Sequence, residues 1–329
     1  MLSTNALPAD QQAALDLLTG AERVLLTGHQ RPDGDCIGAQ AALARVLEAR
    51  GQQVQILNTD APEPQFDYLS EHLDYAVDDG GPVPEHDLLV LLDCSEISRT
   101  GVLEQRFTAA PSKKLVVDHH VLPDVAWWDA AFIDTSAAAT GLLVRRIAKA
   151  LDVELDPIAR LGVFTSMVTD TGWFKYSNTD AEVFEAAAEM VAGGVELSTL
   201  YSSIYQRRPA THPGQVAKVL SRHSYHADGR IAAVSMPLAT DGAAQDFDSE
   251  DVLDLLRSVE RVEVVLFLRQ VKPGVCKLSA RSKTDYNVNA LARKFGGGGH
   301  VKASGATIEG ELEQVMARLV LAAEEGFAK

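Results

Sequence analysis

The spacing of apolar residues changes character about two thirds of the way along the chain, and each regime predicts its own architecture. In the first regime short apolar runs alternate with longer amphipathic ones. Residues 10–20 and 36–50 read as helices, the second closing at Gly51, while 23–28, QVQILN (53–58), DLLVLLD (87–93), KLVVD (114–118) and AFID (131–134) read as strands. DLLVLLD is apolar on both faces, as a strand covered on both sides must be. Thr135 and Ser136 lead into a helix over 137–151, and Asp156-Pro157 supplies a cap and a first-turn proline for a helix to about Met167. NTDAEVFEAAAEMVAGG (178–194) reads as a capped helix closed by its glycine pair. This alternation predicts an α/β fold over residues 1–195, with a doubly wound, mostly parallel sheet.

From Glu196 to about Val216, with YQRRPATHPG inside it, the chain reads as a connector. Over 217–329 the pattern becomes strand RIAAVSM, helix SEDVLDLLRSV, strands VEVVLFLRQV and VCKLSAR, helix VNALARKF, the run GGGGH, a short strand and a terminal helix. Adjacent strands with helices between them predict a smaller mixed α+β domain. Two domains suit 329 residues. No internal repeat or low-complexity segment interrupts either part.

Composition narrows the classes. The hydrophobic fraction of 46% and charged fraction of 23% are ordinary for a globular protein. No apolar run approaches the ~20 residues that span a bilayer. MLSTNALPADQQAALDLL lacks the basic start and apolar core of a signal peptide. The three cysteines (Cys36, Cys94, Cys276) form no CxxC pair, so neither a disulfide framework nor a zinc cluster is indicated, and a cytoplasmic location is expected. Charge changes the picture more. Against 30 basic residues stand 46 acidic ones, a net charge of −16, with no basic block anywhere. A long nucleic-acid duplex needs many phosphate contacts and is an unsuitable partner. A small anionic substrate held by a few local cations remains compatible, as does a homodimer, and acidic metal ligands would account for part of the charge.

The acids and histidines gather where predicted strands end. GHQRPDGDCIG (28–38) sets His29, Asp33 and Asp35 directly after the first strand, although Pro32-Asp33-Gly34 by itself is an ordinary turn. Asp93 closes DLLVLLD, Asp118-His119-His120 closes KLVVD, and Asp170 lies in VTDTGWF just after the helix that begins at Asp156. One aspartate after a strand is usually a helix cap. Several endings at the carboxyl edge of one sheet converge, and open α/β sheets build their sites there. Hard carboxylates mixed with imidazoles suit Mn²⁺ or Mg²⁺. Two such ions ~3.5–4 Å apart can clamp both oxygens of a phosphoryl displacement.

In VCKLSAR, alternation puts Lys277, Ser279 and Arg281 on one face and Cys276, Leu278 and Ala280 on the other. The first face is either a phosphate reader or a solvated surface. Gly296–Gly299 could offer backbone N–H groups to an anion and His300 a hydrogen bond, or the run could be a helix end. Cys36 and Cys94 read as small buried residues. His72, His86, His212, His223 and His226 sit in polar connectors, and Trp127, Trp128 and Trp173 either stack on a base or pack.

Taken together, GHQRPDGDCIG, LLDCSE, VVDHH and VTDTG resemble the four sequential motifs of the DHH phosphoesterases, named for Asp118-His119-His120. KFGGGGHVKASG (294–305), with LSARS before it, resembles the signature of the DHH-associated C-terminal domain of the nanoRNase and pAp-phosphatase type. The resemblance covers nearly the whole chain, and GGGGH disfavours the inorganic pyrophosphatase branch. It implies one metal held by His29, Asp33, Asp93 and Asp170 and another by Asp35, Asp93, His119 and Asp170, with Asp93 and Asp170 bridging. A hydroxide between the ions would be the nucleophile, with His120 supporting the phosphate or orienting the ligands. Substrate binding would fall to Ser279, Arg281, Gly297, Gly298, Gly299, His300 and Ser304. The implied enzyme is a two-lobed phosphodiesterase or phosphatase with its site between the lobes. It would use two Mn²⁺, with Mg²⁺ an alternative, and degrade very short oligoribonucleotides or 3′-phosphoadenosine 5′-phosphate. Hydrolysis of c-di-AMP or pApA is the rival within that class. A nucleotide-binding regulator that has lost catalysis is the rival outside it, weakened because every metal position is filled.

Overall fold

In the computed structural model, described here over residues 8–123, 125–238, 247 and 249–327, the apolar runs of the first regime become one sheet. Helix α1 (Ala9–Gly20) precedes β1 (Arg23–Thr27), followed by α2 (Gly34–Ala49), β2 (Gln53–Asn58), the single turn α3 (Asp67–Ser70), β3 (Tyr75–Val77) and β4 (Leu88–Leu92). Then come a 3₁₀ segment (Ile97–Leu103), α4 (Glu104–Ala109), β5 (Lys113–Asp118) and β6 (Ala130–Ile133). The strands are all parallel in the order β3-β2-β1-β4-β5-β6. The order reverses between β1 and β4, so the crevice of this doubly wound sheet opens beyond the carboxyl ends of those two strands.

Every residue of β4 is buried, as its unbroken apolar run demands. On one face Val24, Leu26, Ile56, Val90, Leu92, Leu115 and Val117 join the main core. On the other, Leu25, Leu57 and Leu89 pack on Leu103 and Phe107, and Leu91 and Val116 on Trp127 and Trp128. The three-residue β3 carries too little apolar signal to be predicted.

Four helices complete this unit: α5 (Thr140–Ala150), α6 (Pro157–Asp170), α7 (Ala181–Ala192) and α8 (Leu197–Tyr205). Three boundaries differ from the sequence reading. Helix α2 begins at Gly34 because Asp33 caps it, accepting from the amides of Asp35 and Cys36 at 3.1 and 3.2 Å. Helix α5 begins at Thr140, three residues later than expected. Helix α6, capped by Asp156 as predicted, runs on through Asp170, which is therefore its last residue and does not follow it. Helices α2 and α6 touch backbone to backbone: a Cβ on Gly38 would stand 2.4 Å from the Gly162 carbonyl oxygen. That contact brings the start of α2 against the end of α6.

The chain divides between Arg207 and Arg208. The stretch read as a connector is largely helical. Leu200 and Ile204, spaced i and i+4, bury α8 in the first core, and α9 (His212–Leu220) opens the second unit. There follow β7 (Ser224–His226), β8 (Ile231–Met236), α10 (Glu250–Arg257), β9 (Val264–Lys272), β10 (Val275–Ser282), α11 (Val288–Arg293), β11 (Gly298–Gly299), β12 (Ala303–Glu309) and α12 (Leu312–Phe327). The sheet runs β11-β12-β10-β9-β8-β7, with β8 and β9 parallel and the rest antiparallel. Leu266, Leu278 and Ala280 meet α11 and α12 on one face. Ala232, Val234, Val265 and Phe267 meet α9 and α10 on the other. Among the described residues no helix is long and apolar enough to cross a membrane.

Candidate active site

Each acid or histidine of the first unit is delivered by the end of an element. His29 lies two residues beyond β1, Asp33 and Asp35 open α2, Asp93 follows β4, His119 and His120 follow β5, and Asp170 ends α6. Asp93 carries the largest share of the geometry. Its φ of +61° is left-handed, a conformation that aspartate tolerates better than most residues but still at a cost. So turned, it sends Oδ2 to within 3.3 Å of His29 Nε2, and Oδ1 to 3.7 Å from His119 Nε2 and 3.6 Å from His120 Nδ1. His119 Nε2 also stands 3.2 Å from Asp170 Oδ2 and 3.4 Å from Asp35 Oδ2, and His29 Nε2 stands 3.9 Å from Asp33 Oδ1. Two clusters result, His29 with Asp33 and His119 with Asp35 and Asp170, and Asp93 belongs to both.

The tautomers follow from the neighbours. His29 Nδ1 meets the Gln30 carbonyl at 2.8 Å and His119 Nδ1 meets that of Ala137 at 3.0 Å. A carbonyl can only accept, so each Nδ1 carries the proton and each Nε2 faces carboxylates. His119 Nε2 is buried with no hydrogen-bond partner. Burial alone would push His119 down, but the Asp170 contact and the charges of Asp35, Asp170 and Asp93 outweigh it and raise its pKa to about 11. Burial and the nearby charge of Asp170 raise Asp35 to about 6, and burial with the charges of Asp35, Asp33 and Asp170 holds Asp93 well above the carboxylate range. The pocket thus calls for positive charge between its oxygens and nitrogens. Donor separations of 3.2 to 3.9 Å suit groups sharing an ion at roughly 2.1 Å. Oxygen and imidazole donors fit a divalent cation of the Mn²⁺ or Mg²⁺ kind. Cys36 Sγ lies within 4.8 Å of donor atoms of His29 and Asp93, but burial and the charges of Asp93 and Asp33 keep it a thiol.

The profile of the DHH family, N-terminal domain, matches residues 23–194, and that of the DHHA1 domain matches 228–329. The chain belongs to the DHH family. As a DHH phosphoesterase it is a hydrolase of phosphoester bonds. It is 34% identical over 309 residues to the bifunctional oligoribonuclease and PAP phosphatase NrnA of Thermus thermophilus, covering 93% of this chain and 90% of that one. It is 24% identical over 333 residues to the cyclic-di-AMP phosphodiesterase GdpP of Geobacillus thermodenitrificans, covering 92% of this chain but only 48% of that protein. In fold it matches an exopolyphosphatase-related protein from Bacteroides fragilis, with a TM-score of 0.90 at 23% identity over 99% of this chain and 98% of the other.

Around the DHH motif the structure adds residues that the sequence reading passed over. The amides of Thr140 and Gly141, at the start of α5, donate to Asp35 at 2.9 and 3.3 Å, and Ser166 donates to its Oδ1. Thr140 Oγ1 donates to Asp93 at 3.1 Å. The one available signal was Ser166, four residues before Asp170 and so on the same side of α6. Asp118, the first letter of the motif, takes no part in either cluster: it bonds His120 Nδ1 at 2.8 Å and so orients that ring. The tryptophans pack. Trp127 donates to Ser95 O at 2.7 Å, and Trp173 lies edge-on to Phe164, Tyr201 and Tyr205. His212 is buried against Asp251 at 2.6 Å, contrary to its reading as a residue of a polar connector.

In the DHHA1 unit the predicted alternation of β10 holds. Cys276, Leu278 and Ala280 are buried, while Lys277, Ser279 and Arg281 are half-buried on the other side. Arg281 pairs with Glu250 of α10. Gly298 and Gly299 form β11, pairing with Gly305 and Ser304. The amides of Gly296 and Gly297 donate to Arg293 O and Ala292 O at 3.1 and 2.9 Å, so those two are already engaged. A Cβ on Gly297 would stand 2.1 Å from Gly305 O, which explains glycine there. His300 makes a tight turn with Ala303. Ser304, across from Ala280, is buried on the α11/α12 side and donates to His300 O at 2.7 Å.

Proposed function

We propose that this phosphoesterase uses two divalent ions, Mn²⁺ by preference, to degrade very short oligoribonucleotides to mononucleotides and to dephosphorylate 3′-phosphoadenosine 5′-phosphate. The observation that carries the reading is Asp93, whose two oxygens face two separate imidazole clusters. His29, Asp33 and Asp93 would hold one ion, and Asp35, Asp93, His119 and Asp170 the other; the family resemblance adds Asp170 to the first ion as well. Ions so held supply Lewis acidity and lower the pKa of an attacking water. The protein's own groups do the rest. Thr140, Gly141 and Ser166 hold Asp35 in place, and Thr140 steadies Asp93. His120, turned by Asp118, presents Nε2 to the phosphate. Arg281 and Ser279 on β10, with the exposed strand Gly298–Gly299, offer the substrate's remaining phosphate a cation and open backbone.

The oligoribonuclease and PAP phosphatase activity of the Thermus relative supports this substrate class, and the net charge of −16 disfavours long chains. The test is a turnover panel in Mn²⁺ against pApA, a pentanucleotide, a long RNA, pAp and c-di-AMP. The reading expects pApA, the pentanucleotide and pAp to be cleaved. Preference for c-di-AMP would move the chain to the cyclic-dinucleotide class, and no metal-dependent turnover of any of them would make it a binding protein.

A further inference from the structure

On the α9/α10 face of the second sheet, the apolar cluster under those helices draws on β8 and β9 and on no residue of β10 or β12. Across these strands, cross-strand register sorts side chains into rows. One row reads Arg269, Lys277, Thr307; the next Phe267, Ser279, Gly305, Gly298; the third Val265, Arg281, Ala303. The middle row beyond Phe267 carries no side chain larger than serine, so it forms a floor with cations at both ends. Arg269 and Lys277 stand directly opposite each other in an antiparallel ladder, where like charges are unfavourable. Both are half-buried, and among the described residues Arg269 has no carboxylate or hydrogen-bond partner. Arg281, at the other end, has Glu250. A sheet that sets two cations side by side over a small-residue floor, and leaves one of them without an acid, is built to receive an anion.

We propose that Arg269 and Lys277 form a second phosphate-binding position, separate from Arg281, that reads a further phosphate of an oligonucleotide. Lys277 and Arg281 are four residues apart on β10, about 13 Å along the strand, too far for one phosphate to touch both. A ligand that engages both ends therefore carries at least two spaced phosphates. This inference rests on the oligoribonucleotide reading given above.

The experiment compares wild type, Arg269→Gln, Arg269→Lys and Lys277→Gln, all Mn²⁺-loaded full chains, on a 5′-phosphorylated trinucleotide and on bis-p-nitrophenyl phosphate. For Arg269→Gln the ratio of kcat/KM for the trinucleotide to that for the small ester should fall about tenfold, mainly through KM, as a charge-assisted contact is lost. The slope of log kcat/KM against log salt for the trinucleotide should drop by about one. Arg269→Lys should restore most of both, and Lys277→Gln should repeat the Arg269→Gln pattern. Equal losses on both substrates, or an unchanged salt slope and ratio, would overturn the second position and leave the proposed function intact. If wild type fails to cleave the trinucleotide while hydrolysing the small ester, the oligoribonucleotide reading falls and takes this inference with it.

Discussion

At Asp93 a single carboxylate is 3% exposed, held in a left-handed backbone and surrounded by other acids. Burial and three neighbouring charges disfavour its ionised form, so its presence lowers stability until a cation neutralises the cluster. Asp93→Asn keeps the shape and accepts the left-handed φ. In EDTA its melting temperature should equal or exceed that of wild type. In Mn²⁺ kcat/KM should fall by more than the roughly 100-fold typical of outer-shell changes. Activity near wild type would remove Asp93 from the shared position. Asp35 gives the pH dependence. Its pKa rises from 3.8 unfolded to about 6 folded, so the metal-free fold takes up a proton and loses that stabilisation as pH climbs through this window. A cation bound there, as proposed, would replace the proton. The difference in melting temperature between Mn²⁺-loaded and chelated protein should therefore widen from pH 5 to pH 7, and a constant gap would argue against Asp35 as a ligand.

Among the elements, α2 and α6 matter most for the site, because one begins with Asp33 and Asp35 and the other ends with Asp170. Their separation is set by Gly38 and Gly162, whose missing Cβ atoms let the two backbones touch. Gly162→Ala would place its Cβ 2.6 Å from the Gly38 carbonyl oxygen. It should destabilise the fold by roughly 1–3 kcal/mol in urea denaturation, as overpacking does. It should also weaken Mn²⁺ binding measured by calorimetry, since Asp35 and Asp170 would be pushed apart; unchanged affinity would show that the helix contact does not position them. Strongly periodic helices and unbroken strands were legible in the chain. Helix α8 is too short to stand out: it has only Leu200 and Ile204 as buried apolar positions, and the polar, proline-containing YQRRPATHPG begins at its last residue. The start of α5 was misplaced because three alanines before Thr140 fit a helix, while the carboxylate of Asp35 takes the amides of Thr140 and Gly141 as the helix opens.

For the molecule as a whole, the proposed function puts chemistry on the first unit and recognition on the second. Arg281 belongs to the second, more than a hundred residues along the chain from Asp170. Arg281→Ala should leave Mn²⁺ affinity intact and cost more in kcat/KM on a dinucleotide than on bis-p-nitrophenyl phosphate, because a charge-assisted fork serves only the longer ligand. Equal losses on the two substrates would place it at the reacting phosphate. The two-part organisation, the parallel sheet, the gathering of acids and histidines at its carboxyl edge and the alternation of β10 could all be read from the chain. Each is written in local period, or in motifs at strand ends that a parallel sheet must bring to one edge. Tertiary structure alone decided which oxygen of Asp93 faces which imidazole, that Asp118 serves His120, and that Ser166 and the start of α5 hold Asp35. It also set Arg269 opposite Lys277 and turned Ser304 inward. These depend on strand register and on helix contacts between residues far apart in the chain, and no periodicity within a single segment encodes either.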